Sequence, residues 1–510
     1  MSATARPASA RDRIAMVADA GSLEVWDDDV VSHDPLRFSD NLPYPERLAA
    51  AEARTGLRES VLTGGVTIAG RRVVVVAGEF GFFGGSIGTA TGERVALAID
   101  CACESRVPVL ILPASGGTRM QEGTPALMQM AKISAAVRRL LDAGLTYIAY
   151  LTHPTTGGVL ASWGSLGVVT FAMPGAFIGF GGPRVVEMMT GRRLPDGIQS
   201  AEHLFERGLV DDVVAPEDLR ERVLRVLAVT APVSEPRSRR SSPARASELP
   251  APGDAWASVR HARNPLRPGA AELLRAWATD VTVLRGDGAG GGEDPGCLAA
   301  LARLRGIPAM VVAQHRDRTS PSRMGPAGYR KALRAMAVAE QLNLPLVTIV
   351  DTPGAQMSVA AEEGGLSAEI ARCMARLSSL RVPTLAVLAG EGGSGGALAL
   401  LVADRVICAE HAYLAAIAPE GASAIVYRST DRAAELAAAQ GGASWELMRF
   451  GIVDTVVSEQ PSADLEPEAF AARLGEAVEA ELGRLLEQPP DIRLTLRTRR
   501  YRHVGNPEGE

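Results

Sequence analysis

Lysine is nearly missing from this chain of 510 residues: it stands only at Lys132 and Lys331, so almost every cation is an arginine. That bias is one of GC-rich coding rather than of chemistry. The net charge is −6 and the pI about 5.8, without the basic excess of a general nucleic-acid binder. Cysteine is scarce as well. Cys101, Cys103, Cys297, Cys373 and Cys408 form no CxxC pair and no metal-site spacing, so free thiols in a reducing cytoplasm are expected. The first residues lack the apolar core of an export signal. Charge itself disappears between Asp142 and Arg184, a stretch long enough to cross a bilayer. Yet Pro154, Gly157, Gly158, Gly164, Gly167 and Pro174 interrupt it, and no apolar run reaches the ~20 residues a span needs. Two buried strands around a glycine loop are expected there instead.

Catalytic signatures are equally sparse. Neither a Walker A loop nor a GxGxxG fingerprint is present. Ser115 and Ser162 stand outside any GxSxG elbow. The seven histidines, His33, His153, His203, His261, His315, His411 and His503, are isolated from one another. Only His153 falls near a plausible site, and it reads first as a strand-end structural residue, second as an acid–base group.

What the chain does contain is a long repeat. Val107 to Leu112 runs into Ser115-Gly116-Gly117-Thr118-Arg119-Met120, and Leu344 to Ile349 runs into Asp351-Thr352-Pro353-Gly354. Pro154-Thr155-Thr156-Gly157-Gly158 is echoed by Glu391-Gly392-Gly393-Ser394-Gly395-Gly396. The offsets agree: Gly92 to Gly328 is 236, Pro108 to Pro345 is 237, Gly157 to Gly395 is 238. Such a period is too long for a solenoid and predicts a duplicated domain.

With 46% apolar residues each copy has ample core. Residues 1–60 read as polar and helical, with Pro43-Tyr44-Pro45 introducing a helix to Thr55. Short β-rich runs follow, among them Val73 to Val76, a continuous apolar run expected of a strand buried on both faces. Helices are predicted over 92–105 and 124–143, strands over 107–113 and 146–152. The order recurs as strand 309–313, helix 328–342, strand 345–350, helix 367–380 and strand 384–389, the pattern of ββα units around a buried sheet. Gly208-Leu209-Val210-Asp211 and Gly451-Ile452-Val453-Asp454 close the two copies. Between them, residues 231–253 carry five prolines among Ser and Arg and read as a linker, which puts an N-terminal domain at 1–230 and a C-terminal one at 254–510. An amphipathic helix is expected over 463–485, followed by basic residues 497–502.

A glycine pair between a buried strand and a helix lets another backbone or a ligand come close. It also presents the unpaired, partially positive N–H groups of a helix start. Gly157-Gly158 and Gly395-Gly396 both fit, and such donors stabilise an oxyanion. Tight strand-to-helix packing is the bland alternative for either pair alone. Two matched pairs with no evident base point to a substrate that supplies its own.

These residues give a specific resemblance. The first half is similar to the β subunit of bacterial acetyl-CoA carboxylase carboxyltransferase at Phe83-Gly84-Gly85-Ser86, at 115–122, at 154–158 and at Ile178-Gly179-Phe180-Gly181-Gly182-Pro183-Arg184-Val185. The second half resembles the α subunit at 262–268, at Gly328-Tyr329-Arg330-Lys331-Ala332-Leu333, at 351–355, at 390–399, at Ala418-Pro419-Glu420-Gly421 and at the tail Arg499-Arg500-Tyr501. The whole resembles a natural β–α fusion. The resemblance implies an α/β chain of two tandem crotonase-like (ClpP/crotonase superfamily) ββα superhelix domains. It also implies transfer of carboxylate from carboxybiotin, held on a carrier protein, to the α-carbon of acetyl-CoA or a short acyl-CoA. There the biotin anion left after CO₂ release takes the α-proton. By the same analogy Gly157 and Gly158 serve the thioester enolate and Gly395 and Gly396 the biotin ureido oxygen, or the reverse. Gly84, Gly85, Ser115, Gly116, Gly117, Arg119, Gly181, Gly182, Arg330 and Lys331 are implied to bind acyl-CoA. Pro353, Gly354, Gly392, Gly393, Glu420 and Gly421 are implied to bind biotin. A biotin carboxyl carrier protein and a biotin carboxylase are the implied partners, and a homodimer or larger assembly is implied for the chain itself.

The chain also departs from the pattern. It lacks the four-cysteine ribbon with which such β subunits begin, so no zinc is expected. Gln356-Met357 stands where α-type chains continue Tyr-Pro, and the segment from Gln314 to Gly328 is short. Two other readings compete: a biotin-independent decarboxylase of malonyl-type thioesters, and a non-catalytic scaffold that binds the carrier.

Overall fold

The computed structural model describes residues 8–26, 28–34, 36–39, 42–181, 186–187, 191–192, 194–230, 251–316 and 323–503. The expected linker falls mostly at 231–250, outside the described residues, as do Gly182 and the Pro183-Arg184-Val185 run. The chain divides into two compact units, Met1–Ala231 and Pro232–Glu510.

The first unit is built on a seven-stranded sheet. Its strands are β1 (Glu24–Trp26), β2 (Val61–Ile68), β3 (Arg71–Gly78), β4 (Val109–Leu112), β5 (Tyr147–Leu151), β7 (Val169–Ala172) and β9 (Asp212–Val213), in that spatial order. β1, β2 and β3 pair antiparallel, and from β3 onward the pairs are parallel. The run Val73 to Ala77 is fully buried, as an all-apolar strand covered on both faces requires. A two-stranded ribbon, β6 (Thr155–Thr156) with β8 (Ile178–Gly179), stands off the main sheet at its carboxyl end. The N-terminal region is less helical than its composition suggests. Helices Ala10–Ala15 and Tyr44–Thr55 form, but Glu24–Trp26 is drawn onto the free edge of β2.

The second unit repeats this plan. β10 (Ala278–Leu284), β11 (Cys297–Leu304), β12 (Ile307–Gln314), β13 (Leu346–Thr352), β14 (Thr384–Gly393), β15 (Arg405–Ala409) and β17 (Thr455–Val457) follow in order, with β16 (Tyr413–Ala415) paired to the end of β14. Its sheet thus begins with β10, one strand earlier than the apolar pattern near Ala299 indicates. β10 was hidden because its side chains are only half-buried. Val61 opposite Gly78 and Cys297 opposite Gln314 place the two antiparallel hairpins in the same register.

The closing segments match as well. Asp211 accepts the Thr170 N–H at 2.8 Å and Asp454 that of Val406 at 2.7 Å, each pinning the last parallel strand. The basic tail lies in the helix Pro490–His503. There Arg497 is buried and bonded to Asp404 at 2.8 Å and to the carbonyls of Leu377 and Leu380. Among the described residues no helix is long and apolar enough to cross a membrane.

Candidate functional site

In each unit the chain leaves two neighbouring parallel strands through loops that lie backbone on backbone. In the first, the loop after β4 meets the turn into β6: the N–H of Ser115 donates to Pro154 O (2.7 Å) and that of Thr156 to Ser115 O (2.9 Å). Gly116 N–H donates to Gly84 O (2.7 Å), tying in the Phe83-Gly84-Gly85 turn, and Ser115 Oγ accepts from Gly117 N–H (3.0 Å). A side chain on Gly85 would run into the Ala114 carbonyl, and one on Gly157 would come within 3.0 Å of Gly117 Cα. Gly117 and Gly157 also have positive φ, 117° and 58°, a backbone region that favours glycine.

Gly157 opens the helix Gly157–Val159, which passes into a π-helical turn at Leu160–Gly164. Of the first-turn N–H groups, which have no intrahelical acceptor, that of Gly157 is taken by Phe180 O at 3.0 Å. Of the expected glycine pair, only Gly158 therefore keeps its donor for a ligand. Thr118 faces it: a Cβ on Gly158 would sit 2.6 Å from Thr118 Oγ1 and 3.0 Å from Met130 Sδ.

The second unit reproduces the arrangement. Thr352 Oγ1 accepts from Gly354 N–H (3.2 Å), as Ser115 Oγ does from Gly117, and Gly354 has φ 133°. The helix Ser394–Leu401 starts from Gly393, whose missing side chain makes room for Pro353, and a Cβ on Gly396 would stand 2.5 Å from Ala355 N. Its first residue, Ser394, takes the left-handed φ of 55° that Gly157 takes in the first unit. The structural register is therefore Ser115–Thr352, Gly117–Gly354, Gly157–Ser394 and Gly158–Gly395. The pairing of Gly157 with Gly395 expected from the matching letters is one residue out. Gly396 is distinguished in another way: its carbonyl accepts from Gln314 Nε2 (2.6 Å) and Tyr329 OH (3.2 Å), both fully buried.

Two expected acyl-CoA ligands are not available. Arg119 is 0% exposed; its guanidinium is clamped between Glu59 and Glu122 and also donates to Ser32 (2.9 Å) and Tyr44 OH (3.2 Å). Burial works against every charge in this cluster, but the Arg119 guanidinium still holds Glu59 and Glu122 below the ordinary glutamate range. Lys331 is 2% exposed and spends its ammonium on Glu293 (2.6 Å) and Cys297 O (2.8 Å). A buried cation needs such partners, and sequence gives the charge without its surroundings. Arg330, on the same helix, is half-buried against Asp287 at 3.1 Å. Gly181 accepts from Gln199 Nε2 at 2.8 Å. His153 Nδ1 accepts from Phe177 N–H (3.1 Å), a strand-end contact.

On the biotin side, Gly392 and Gly393 end β14, and a Cβ on Gly392 would meet Tyr413 O at 2.8 Å. Glu420 and Gly421 lie in the first turn of the helix Pro419–Tyr427. Burial would raise the Glu420 carboxyl, but its ion pair with Arg263 holds it low. Arg263 also reaches Glu391 (2.7 Å), which is buried and bonded to Arg316 (2.6 Å) and Tyr413 OH (2.6 Å). The sequence assigns no role to Glu391, Arg316 or Tyr413, although Glu391, like Arg263, stands in a segment that carries the resemblance. Beside Ala355, a cavity of about 510 Å³ is lined by Asp294, Arg323, Gly325, Gln356 and Met357, among others. Asp294 accepts three backbone N–H groups, of Gly296, Gly325 and Gly328, yet burial outweighs them and raises its carboxyl. Among the described residues no cluster of His, Cys, Asp and Glu could hold a metal ion.

Comparison with known proteins agrees on one family. A family profile described as acetyl co-enzyme A carboxylase carboxyltransferase-like matches residues 243–505. The probable biotin-dependent acyl-coenzyme A carboxylase beta3 subunit of Mycobacterium tuberculosis (strain H37Rv) is 49% identical over 492 residues, covering 96% of this chain and 97% of that one. The acetyl-coenzyme A carboxylase carboxyl transferase subunits beta/alpha of Salinispora arenicola are 43% identical, over 97% of this chain and 90% of theirs. Among solved structures, a transcarboxylase 12S hexamer with methylmalonyl-coenzyme A and methylmalonic acid bound superposes with a TM-score of 0.71 at 22% identity, covering 92% of this chain and 90% of its own. That likeness shows the fold, the crotonase-like one expected.

Proposed function

The chain belongs to the acetyl- and acyl-coenzyme A carboxylase carboxyltransferases, and from that membership we propose how its two glycine-started helices divide the reaction. The first, with the Gly158 N–H beside Thr118, takes the thioester oxygen of acetyl-CoA or a short acyl-CoA as the enolate forms. The second, at Gly395 and Gly396, takes the ureido oxygen of biotin delivered on a carrier protein. Gly84, Gly85, Ser115, Gly116 and Gly117 shape the floor of the first site, and Pro353, Gly354, Gly392 and Gly393 that of the second. The observation that carries this reading is the pair of donor-bearing helix starts in matching register at Gly158 and Gly395, with Gly158 and Gly396 packed too closely to take a side chain. Two oxyanions arise in carboxyl transfer, and each needs donors already in place.

Biotin supplies the carboxylate and, once free of it, the base; the protein's part is to hold two oxygens and exclude water. The residues present fit that group. The missing side chains of Gly354 and Gly395, where a Cβ would meet nothing nearer than 3.7 Å, leave a cradle at the carboxyl end of β13 and β14, and the cavity beside Gln356 adjoins it. A biotin carboxylase and its carrier protein are the partners in this reading. Self-association is supported by exposed apolar residues on helices of each unit, Leu127 and Met128, and Ile425 and Val426.

The test is the reverse reaction: purified chain with malonyl-CoA or methylmalonyl-CoA and biocytin, following loss of the carboxylated thioester. Loss that requires biocytin is expected. It should fall by about 10²–10³-fold in Gly158→Val and in Gly396→Val. Loss without biocytin identifies a decarboxylase, and folded glycine variants with full activity refute the two-oxyanion assignment.

A further inference from the structure

The Gly396 carbonyl is held by two side chains that have no counterpart in the other unit. The shared hairpin register makes Gly78 the equivalent of Gln314. The helices that start from Gly88 and Gly325 make Gly92 the equivalent of Tyr329, one residue beyond the Gly328 that the matching letters indicate. Both first-unit positions are glycines packed shut: a Cβ on Gly78 would come 2.5 Å from Ala114 N, and one on Gly92 would strike Gln129. In the second unit the end of β12 and the first turn of the helix Pro326–Gln341 instead send an amide and a phenol to one peptide oxygen, at 2.6 and 3.2 Å. Gln314 is 2% exposed and Tyr329 0%. Gln314 Oε1 has no hydrogen-bond partner, so the residue buries one unpaired acceptor in order to make the other contact. Unpaired buried acceptors are unfavourable and uncommon in native structures.

We infer that Gln314 and Tyr329 are positioning residues for the second oxyanion site, an inference that rests on the assignment of that site to biotin. Ser394-Gly395-Gly396 is the most conformationally permissive helix start in the unit, and donors aimed at a developing charge act only if they are already in place. Two rigidly buried donors on the Gly396 carbonyl fix the residue whose N–H belongs to that first turn. The first unit restrains its own helix differently, through Ser162 Oγ donating to Gly158 O at 2.5 Å within the same helical segment.

The experiment compares the full chain with Tyr329→Phe, Gln314→Met and the double variant in biocytin-dependent loss of malonyl-CoA. Each single change is expected to lower kcat roughly 10- to 100-fold with the malonyl-CoA KM unchanged, since only transition-state contacts are lost. The melting temperature of each variant is read alongside. A purely structural role would lower it and leave kcat per folded molecule untouched, and that result overturns the inference. Ser162→Ala is the control on the other helix and should leave the biocytin KM unaltered. If the unmodified chain shows no biocytin-dependent loss, the reading beneath the inference falls with it. If the unmodified chain is active and all three variants match it, the inference alone is wrong.

Discussion

In the first unit the helix that begins at Thr89 rests its N-cap, Gly88, against the guanidinium of Arg119; in the second, the helix that begins at Pro326 rests Gly325 against the amide of Gln356. The backbone is the same in both places: Arg119 N–H donates to Ile87 O at 2.8 Å and Gln356 N–H to Met324 O at 3.1 Å. The surroundings are opposite. Arg119 fills its space and binds Glu59 and Glu122 into a buried cluster, whereas Gln356 leaves about 510 Å³ empty beside Asp294. Glu59 is accordingly held in its charged form while Asp294 is pushed toward its neutral one. One duplicated frame thus carries a solid, charge-locked corner in one copy and an open one in the other. The open corner adjoins the glycine cradle, and the solid one stiffens the wall of its own.

The contrast is broken most severely by Arg119→Leu. It strands Glu59 and Glu122 as buried unpaired charges and should destabilise the first unit by about 3–5 kcal/mol. Gln356→Leu, at an exposed position, should shift stability by no more than about 0.5 kcal/mol. Urea unfolding of the two variants measures the difference, and equal losses would show that the corner is not held by charge.

A smaller effect separates the two corners by pH. Glu59 and Glu122 have lowered folded-state values, so their contribution is complete at neutral pH and disappears as pH falls through the glutamate range toward those lower values. Asp294 has a raised value, so the folded state holds its proton more tightly. Its ionisation costs stability as pH rises from the ordinary aspartate range to the raised value. Per group the slope is at most about 1.4 kcal/mol per pH unit. Glu59→Gln should flatten the acid-side loss of stability and Asp294→Asn the opposing trend, in unfolding curves collected between about pH 3 and 6. Two variants with the same pH profile as the parent would dismiss the distinction.

The smallest effect tests the register of the glycine helices. Ser394 bears a left-handed φ that costs a side-chain residue about 1 kcal/mol. Ser394→Gly, set against the extra freedom glycine has when unfolded, should raise stability by about 0.5 kcal/mol. Gly157→Ala at the equivalent position should lower it by more than 1 kcal/mol, given the approach to Gly117 Cα. Thermal melts decide the sign, and a destabilised Ser394→Gly would mean that the serine hydroxyl matters more than its backbone.

Much of this was legible in the letters. The repeat, the buried run Val73 to Val76 and the strand-loop-helix order follow from periodicity and from glycine placement, and the sheets bear them out. The one-residue slip at the second glycine helix was not, because Gly395-Gly396 matches Gly157-Gly158 by letter while the left-handed backbone residue there is a serine. Arg119 and Lys331 looked like ligands because sequence records a charge but not the carboxylates that fold against it, Glu59 from 60 residues away and Glu293 from 38. Tyr329 stood in the segment 328–333 that carries the resemblance and Gln314 at the edge of the shortened one, but nothing in the letters aimed either side chain at a peptide carbonyl.

The scarcity of lysine also decides how the surface responds to reagents. Lys331 is sealed beneath Glu293, which leaves Lys132, on the helix Gly123–Asp142, as the lysine amine open to acylation; its side chain is 42% exposed and paired with Glu93 at 2.8 Å. An amine-reactive probe should therefore attach at one lysine, without mutagenesis. A lysine-directed cross-link to any other molecule would then report a single neighbourhood, that of one helix in the first unit.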